Sequence, residues 1–319
     1  MDWRAAPERA GWRGLSRDIL LGPPPAAYLA WVAICVIWGT SYLAIKIALE
    51  TVSPLLITGL RYAAAGALLM VWVVARRQPL PSRRDWPGLV AVGLLMFAVG
   101  NGLLVAAEQS VPSGLTAVLV ATTPFWMVGV EGRLEGGERI TRRQWLGLGV
   151  GFGGILLLVW PEIFTGHGVS WTFAAGVVAL QVACLGWAVG SSFGRRQAMA
   201  ASPSQASAAQ MLSAGLVMLA LATAAGDWGV LGLASPRSLL ALLYLTLVAS
   251  LAAFVAYTYA LMHLPTSFVS LYAYINPIVA VGLGAALAGE PFTPRVAVAM
   301  GVILVSTAIV SSSRGETVR

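Results

Sequence analysis

The sequence predicts an all-α integral membrane protein: ten transmembrane helices in two inverted five-helix repeats, with both termini in the cytoplasm. Three observations lead to this fold class: an apolar composition, ten long apolar runs and an internal repeat. Of the 319 residues, 58% are hydrophobic and only 10% are charged, against about 25% charged residues in soluble domains. The mean hydropathy of +0.80 agrees. This composition excludes an ordinary water-soluble fold.

Ten apolar runs are each long enough to cross about 30 Å of hydrocarbon at about 1.5 Å per residue. In chain order, predicted helices 1 to 10 lie at 27–48, 54–75, 87–107, 113–132, 144–161, 171–193, 204–225, 237–261, 266–288 and 295–312. The short connections leave no room for a soluble catalytic domain. We expect residues 1–26 to form a cytoplasmic segment before a retained first helix, and residues 313–319 a cytoplasmic tail.

The basic residues set the orientation of the chain. Of the 20 Lys and Arg residues, 16 fall in segments that are cytoplasmic when ten helices start from an inner N-terminus. Short cytoplasmic loops carry such an excess in membrane proteins. The net charge of +7 therefore orients the protein, and it does not indicate nucleic-acid binding.

An internal repeat relates the two halves of the chain. A shift of 149 residues aligns Cys35, Trp38 and Gly66 with Cys184, Trp187 and Gly215, and a shift of 153 aligns Pro124 and Gly129 with Pro277 and Gly282. Each unit, 27–161 and 171–312, has an odd number of spans, so the second enters the membrane from the opposite side. Inverted repeats of this kind are a recurring construction of secondary transporters, with substrate held between the halves.

Several stretches resemble the ten-helix branch of the drug/metabolite transporter (DMT) superfamily, which has two EamA domains. They include "IWGTSYLAIKIAL" in predicted helix 1, "VPSGLTAVLVATTPFWM" in predicted helix 4 and "LPTSFVSLYAYINPIVAVGLG" in predicted helix 9. The resemblance implies a multi-pass protein of the bacterial inner (plasma) membrane that exports or exchanges small metabolites by alternating access. Amino acids are a frequent substrate class of the family. Small multidrug-resistance relatives carry an acidic residue inside helix 1, which this chain lacks, so proton exchange for cationic drugs is disfavoured.

Polar and aromatic residues inside the predicted helices are candidates for a substrate cavity. Pro124 and Pro277 each remove a backbone hydrogen bond and predict kinks, either beside a water-accessible cavity or against a neighbouring helix. The candidate lining residues are Trp38, Tyr42, Asn101, Trp126, Trp187, Tyr272 and Asn276. Two alternatives stay open: membrane aromatics can face lipid, and Asn101 can join two helices.

Arg61 lies about five residues inside predicted helix 2, where a charge is expected to be functional. The sequence favours an ion pair with Glu50 or Glu108 that bridges or gates the outer face, and it leaves open a contact with a substrate carboxylate.

The sequence offers no metal-ligand cluster, no nucleophile with a base at one depth and no phosphate-binding loop. We therefore expect no enzyme activity, no metal and no cofactor. The expected partners are a small-molecule substrate and membrane lipids, and the sequence leaves open a monomer or a homodimer. A channel or facilitator, or an exporter of drugs, sugars or nucleosides, remains the alternative to amino-acid export.

Overall fold

A computed structural model describes residues 24–134, 141–164, 171–197, 201–264, 266–269 and 271–312. Most of the expected N-terminal segment 1–26 and the expected tail 313–319 lie outside this part of the chain. The long helices are α1 (Pro25–Ala48), α2 (Pro54–Ala75), α3 (Trp86–Ala107), α4 (Ser113–Glu131), α5 (Arg142–Phe164), α6 (Trp171–Arg196), α7 (Pro203–Ala225), α8 (Pro236–His263), α9 (Tyr272–Leu287) and α10 (Pro294–Ser312). A 3₁₀ turn (Asp227–Leu233) precedes α8, and a short helix (Thr266–Val269) precedes α9.

The helices start where the sequence supplies caps. Proline, which has no N–H to leave unpaired, occupies the first turn of α1, α2, α7 and α8. Ser53 accepts a hydrogen bond from the Leu56 backbone N–H at 3.3 Å. Ser202 and Gln205 form a complete capping box at α7. These local signals fix the helix starts close to the predicted ones.

The expected all-α class is confirmed: the described residues contain helices and turns, and no strand. Within the described ranges, seven helices, α1 to α4 and α6 to α8, are long and apolar enough to cross a membrane. α9 and most of α10 are shorter apolar helices. Large apolar side chains such as Leu29, Leu146 and Leu240 are exposed, as expected where lipid covers the protein. Ten spans, the domain boundaries and the cytoplasmic termini stay predictions.

Two predicted helices are interrupted. In α4, Ser113–Val120 and Thr123–Glu131 are separate helical pieces, and Pro124 lies in the first turn of the second piece, where proline is tolerated. The predicted run 266–288 is divided, because Leu271 lies in a turn before α9. Pro277 lies inside the continuous α9.

α2 and α7 cross in close backbone contact. A Cβ added at Gly66 would lie 2.3 Å from the Leu212 backbone nitrogen, and one added at Gly215 would lie 2.1 Å from the Ala63 backbone nitrogen. Only glycine permits so close an approach. α5 and α10 also pack closely at a glycine, where a Cβ at Gly154 would lie 2.8 Å from the Ile303 side chain.

The two halves of the chain are intertwined through their first helices. α1 packs against α8 and α9, whereas α6 packs against α3 and α4. The first helix of each half therefore contacts the third and fourth helices of the other half. The interior of the bundle is built from both halves.

Candidate functional site

Two π-helical segments lie at matching places in the third helix of each half. Leu94–Asn101 is π-helical in α3, and Leu245–Ala252 is π-helical in α8. Such turns are rare and are frequent at functional sites. A π-turn also changes which backbone groups hydrogen-bond along the helix. Side chains donate to two carbonyls in these segments: Trp38 Nε1 to the Ala249 carbonyl and Asn101 Nδ2 to the Met96 carbonyl, each at 3.2 Å. Neither segment contains proline, and both have ordinary apolar sequences, so neither was predicted.

Arg61 is buried beside the π-helical segment of α8. Its side chain is 6% exposed, and its Nε donates to Ser250 Oγ at 2.9 Å. The guanidinium carbon lies 4.9 Å from the centre of the Tyr62 ring. Among the described residues, no carboxylate oxygen lies within 4.0 Å of its nitrogens. Ser250 is a partner that sequence reasoning missed.

The expected ion pair of Arg61 with Glu50 or Glu108 is not formed in this structure. Glu50 lies 3.5 Å from Arg237 instead. Glu108 is fully buried, and neither of its carboxylate oxygens has a partner among the described residues. Lys46 Nζ donates to the Glu108 backbone carbonyl at 2.8 Å, rather than to its carboxylate. The geometric reason is that Arg61 is directed to α8 and not to these acids.

Aromatic side chains form two clusters near the π-helical segments. In the first, Trp38 lies 4.7 Å from Tyr272 and 5.4 Å from Tyr257, ring centre to ring centre. In the second, Phe97 lies 4.9 Å from Tyr62 and 6.0 Å from Trp187. Edge-to-face and tilted contacts between aromatic rings are favourable, so each cluster presents a packed aromatic surface.

The structure thus brings Trp38 together with Tyr272, and it places Trp187 and Asn101 at the π-helical segment of α3. Tyr257, Tyr62 and Phe97 were not among the predicted lining residues. Their only signal was an aromatic ring inside an apolar run.

Trp126 lies apart from both clusters, between α4 and α6. Its Nε1 donates to Gln181 Oε1 at 3.0 Å, and Thr122 Oγ1 donates to the same oxygen at 3.2 Å. Gln181 Nε2 is buried without a partner in the described residues. Sequence reasoning missed Gln181, although an amide in an apolar helix is a recognisable signal.

Asn276 and Tyr42 are enclosed by protein. With its amide oriented to satisfy both groups, Asn276 donates to the Tyr272 carbonyl at 3.0 Å and to the Cys35 carbonyl at 3.1 Å. Asn276 therefore ties α9 to α1. Tyr42 is 9% exposed and packs in the main apolar core.

Two surface cavities lie away from these clusters. The larger, of about 450 Å³, lies between α2 and α7 and is lined by apolar residues. The smaller, of about 120 Å³, lies beside Glu290 at the start of α4. None of the predicted lining residues borders either cavity.

The chain matches the EamA-like transporter family over residues 25–160 and 174–312. It is 35% identical over 283 residues to the "Uncharacterized inner membrane transporter YedA" of Escherichia coli, covering 88% of this chain and 89% of the relative. It is 24% identical to the "Probable amino-acid metabolite efflux pump" of Salmonella typhimurium, with 82% and 86% covered. A solved structure titled only "Crystal structure of protein" matches with a TM-score of 0.60 and 20% identity, covering 92% of this chain and 99% of that one. The chain therefore belongs to the EamA-like family of the drug/metabolite transporter superfamily and is a multi-pass transporter of the inner membrane.

Proposed function

We propose that this protein is a secondary transporter that exports or exchanges small metabolites, most notably amino acids, by alternating access. Two inverted five-helix halves, α1 to α5 and α6 to α10, would rock about a site between them. The observation that carries the proposal is the reciprocal packing of equivalent residues from the two halves. The membership of the transporter family agrees with it.

The α2–α7 crossing has the pattern of a two-fold axis. Gly66 faces Leu212, and Gly215 faces Ala63. The repeat shift of 149 residues converts the first pair into the second. At a two-fold interface, residue i contacts j and the copy of j contacts the copy of i. This reciprocity supports an internal two-fold axis.

The α5–α10 pair repeats the pattern. A Cβ added at Gly154 would meet Ile303 first, and one added at Gly151 would lie 2.5 Å from Ser306, with Phe125 of α4 nearer still. A shift of 152 residues converts one pair into the other. Because five is an odd number of spans, an axis relating the halves would lie in the membrane plane, as in inverted-repeat transporters.

Polar contacts join the halves at both ends of the bundle. At the end expected to be cytoplasmic, Arg195 and Arg196 contact Glu131 at 2.6 and 3.0 Å. At the opposite end, Glu290 accepts from the Ser113 and Gly114 backbone N–H groups at 2.7 and 3.0 Å. In an alternating-access cycle, these two sets of contacts would alternate, one set breaking when its end of the bundle opens.

Amino acids are the favoured substrate class for two reasons. The relative named as an amino-acid metabolite efflux pump gives weak support at 24% identity. The interior of the described bundle also combines a guanidinium, an amide and aromatic rings around the π-helical segments. Such a lining suits a zwitterion with an apolar side group.

The test is transport by the purified protein in liposomes. A panel of neutral amino acids, sugars, nucleosides and cationic drugs would be offered, with empty liposomes as the control. Saturable flux of one or more amino acids is expected. If only a different class of solute showed saturable flux, that class would be the substrate. If no solute showed saturable flux, the protein would not be a carrier for this panel.

The topology has its own test. Reporter fusions after Gln78, His167 and Ser204 should read inside, outside and inside the cell. His167 lies outside the described residues, and its position is a prediction from the sequence alone. An inside signal at His167 would contradict the inverted arrangement.

A further inference from the structure

Arg61 is a buried cation that forms no salt bridge with a described residue, and the buried Glu108 interacts with it only at longer range. It lies in the third turn of α2, among the apolar helices, and is 6% exposed. Its one hydrogen bond to a described residue is from Nε to Ser250. The terminal nitrogens Nη1 and Nη2, which carry four N–H groups, donate to none of the described residues. A buried guanidinium is costly unless it is paired.

The Ser250 contact occupies Nε and leaves both terminal nitrogens without an acceptor among the described residues. Because the bond to α8 uses Nε alone, the terminal pair Nη1 and Nη2 stays available. Two parallel N–H donors match the two oxygens of a carboxylate. Ser250 lies within the π-helical segment Leu245–Ala252, so the unusual backbone lies directly beside the buried charge.

A chain of aromatic contacts begins at this charge. Tyr62 lies 4.9 Å from the guanidinium carbon, Phe97 packs on Tyr62, and Trp187 packs on Phe97. A ligand whose carboxylate met Arg61 would have an apolar aromatic surface beside it. A cationic drug would be repelled by the guanidinium, and a neutral sugar would leave its charge uncompensated.

The geometry points to Arg61 as the carboxylate-binding residue of the transport site, for a small monocarboxylate with an apolar or aromatic side group. Neutral amino acids with such side chains are the members of this class that the site fits best. The inference rests on the proposed transport function, and it adds the chemical group of the substrate that the protein recognises.

The decisive comparison uses matched acids and amides. Leucine and phenylalanine would be compared with leucinamide and phenylalaninamide, as competitors of flux in liposomes and as ligands that raise the melting temperature in detergent. The acids should compete and stabilise, and the amides should do neither. Arg61→Lys keeps the charge but loses the fork, so it should raise the half-saturating acid concentration about 10- to 100-fold.

Two further variants separate ligand binding from folding. Arg61→Met removes an unpaired buried charge, which is neutral or stabilising when the site packs well, so its melting temperature without ligand should equal or exceed that of the parent. It should also lose stabilisation by the acids. Arg84→Gln, at an exposed arginine between α2 and α3, is the matched control and should behave like the parent.

The outcomes distinguish this inference from the transport proposal. Saturable amino-acid flux that the amides inhibit as well as the acids do would overturn the role of Arg61 and leave the transporter intact. Stabilisation by acids that requires Arg61, without flux, would keep the binding site and overturn transport of that acid. Failure of every acid to stabilise the parent protein would overturn the inference.

Discussion

Substituting alanine for Gly66 is the sharpest test of the helix packing. The added Cβ would lie 2.3 Å from the Leu212 nitrogen and 2.7 Å from its Cα, about 1 Å closer than ordinary van der Waals contact. Both atoms belong to the backbone, so a rotamer change cannot relieve the overlap and α2 and α7 must separate. Overpacking costs about 1–3 kcal/mol, and a backbone contact favours the upper end. The better helix propensity of alanine offsets up to about 1 kcal/mol.

The expected net loss for Gly66→Ala is therefore about 2 kcal/mol of unfolding free energy, or about a 30-fold fall in the folded-to-unfolded ratio. Reversible unfolding in detergent or bicelles would measure it. Gly215→Ala should lose a similar amount, because its Cβ meets the Ala63 backbone at 2.1 Å. The double variant should lose less than the sum, since one separation of the helices relieves both overlaps.

Gly282→Ala is the control, because a Cβ there meets nothing within 4 Å. It should be neutral or stabilising by up to about 1 kcal/mol. If Gly66→Ala proved no less stable than Gly282→Ala, α2 and α7 could not be in close backbone contact at Gly66. A large loss of unfolding free energy for Gly66→Ala, with none for Gly215→Ala, would contradict the reciprocal packing of these two glycines across α2 and α7.

Three further predictions concern polar groups. Glu108 lies one residue beyond α3, and burial raises the pKa of its carboxyl well above the usual 4.5. The protonated carboxyl therefore contributes its full stability below pH 4.5, and this contribution is lost as the pH rises through the folded-state pKa. Glu108→Gln should therefore flatten the decline of melting temperature with rising pH, and an unchanged decline would contradict this. Gln181→Leu removes the acceptor of Trp126 and should cost about 1–3 kcal/mol in thermal unfolding, whereas an unchanged melting temperature would mean that water replaces the amide. Glu131→Gln breaks the two ion pairs with Arg195 and Arg196 and should lower the unfolding free energy by less than about 2 kcal/mol, at most about 1 kcal/mol for each partly exposed pair. A larger loss would show that these pairs are structural.

The sequence was sufficient to predict the helices because their signals are local. Predicted helix 2 at 54–75 coincides with Pro54–Ala75, since proline starts it and the apolar run sets its length. Predicted helix 9 differs: Leu271 lies in a turn, and continuous hydrophobicity carried no sign of that interruption.

The candidate site was predicted only in part, because its contacts are long-range. Arg61 was identified from its charge, but its partner Ser250 lies 189 residues away, and serine is unremarkable in an apolar run. The expected acid partners were chosen by charge alone. Asn276 was identified by its polarity, whereas its bond to the Cys35 carbonyl depends on how α9 packs against α1. The two π-helical segments have ordinary apolar sequences, so tertiary packing must select them.

Trans-stimulated counterflow tests the central claim, alternating access, most directly. Liposomes containing the protein would be loaded with unlabelled leucine or phenylalanine, and uptake of the same labelled amino acid from outside would be followed over time. Alternating access predicts transient accumulation of label above its equilibrium level, faster than in unloaded liposomes, because each inward passage is coupled to a return with bound substrate. Label that enters at the same rate with and without internal amino acid, and in proportion to its concentration, would contradict alternating access and favour a pore.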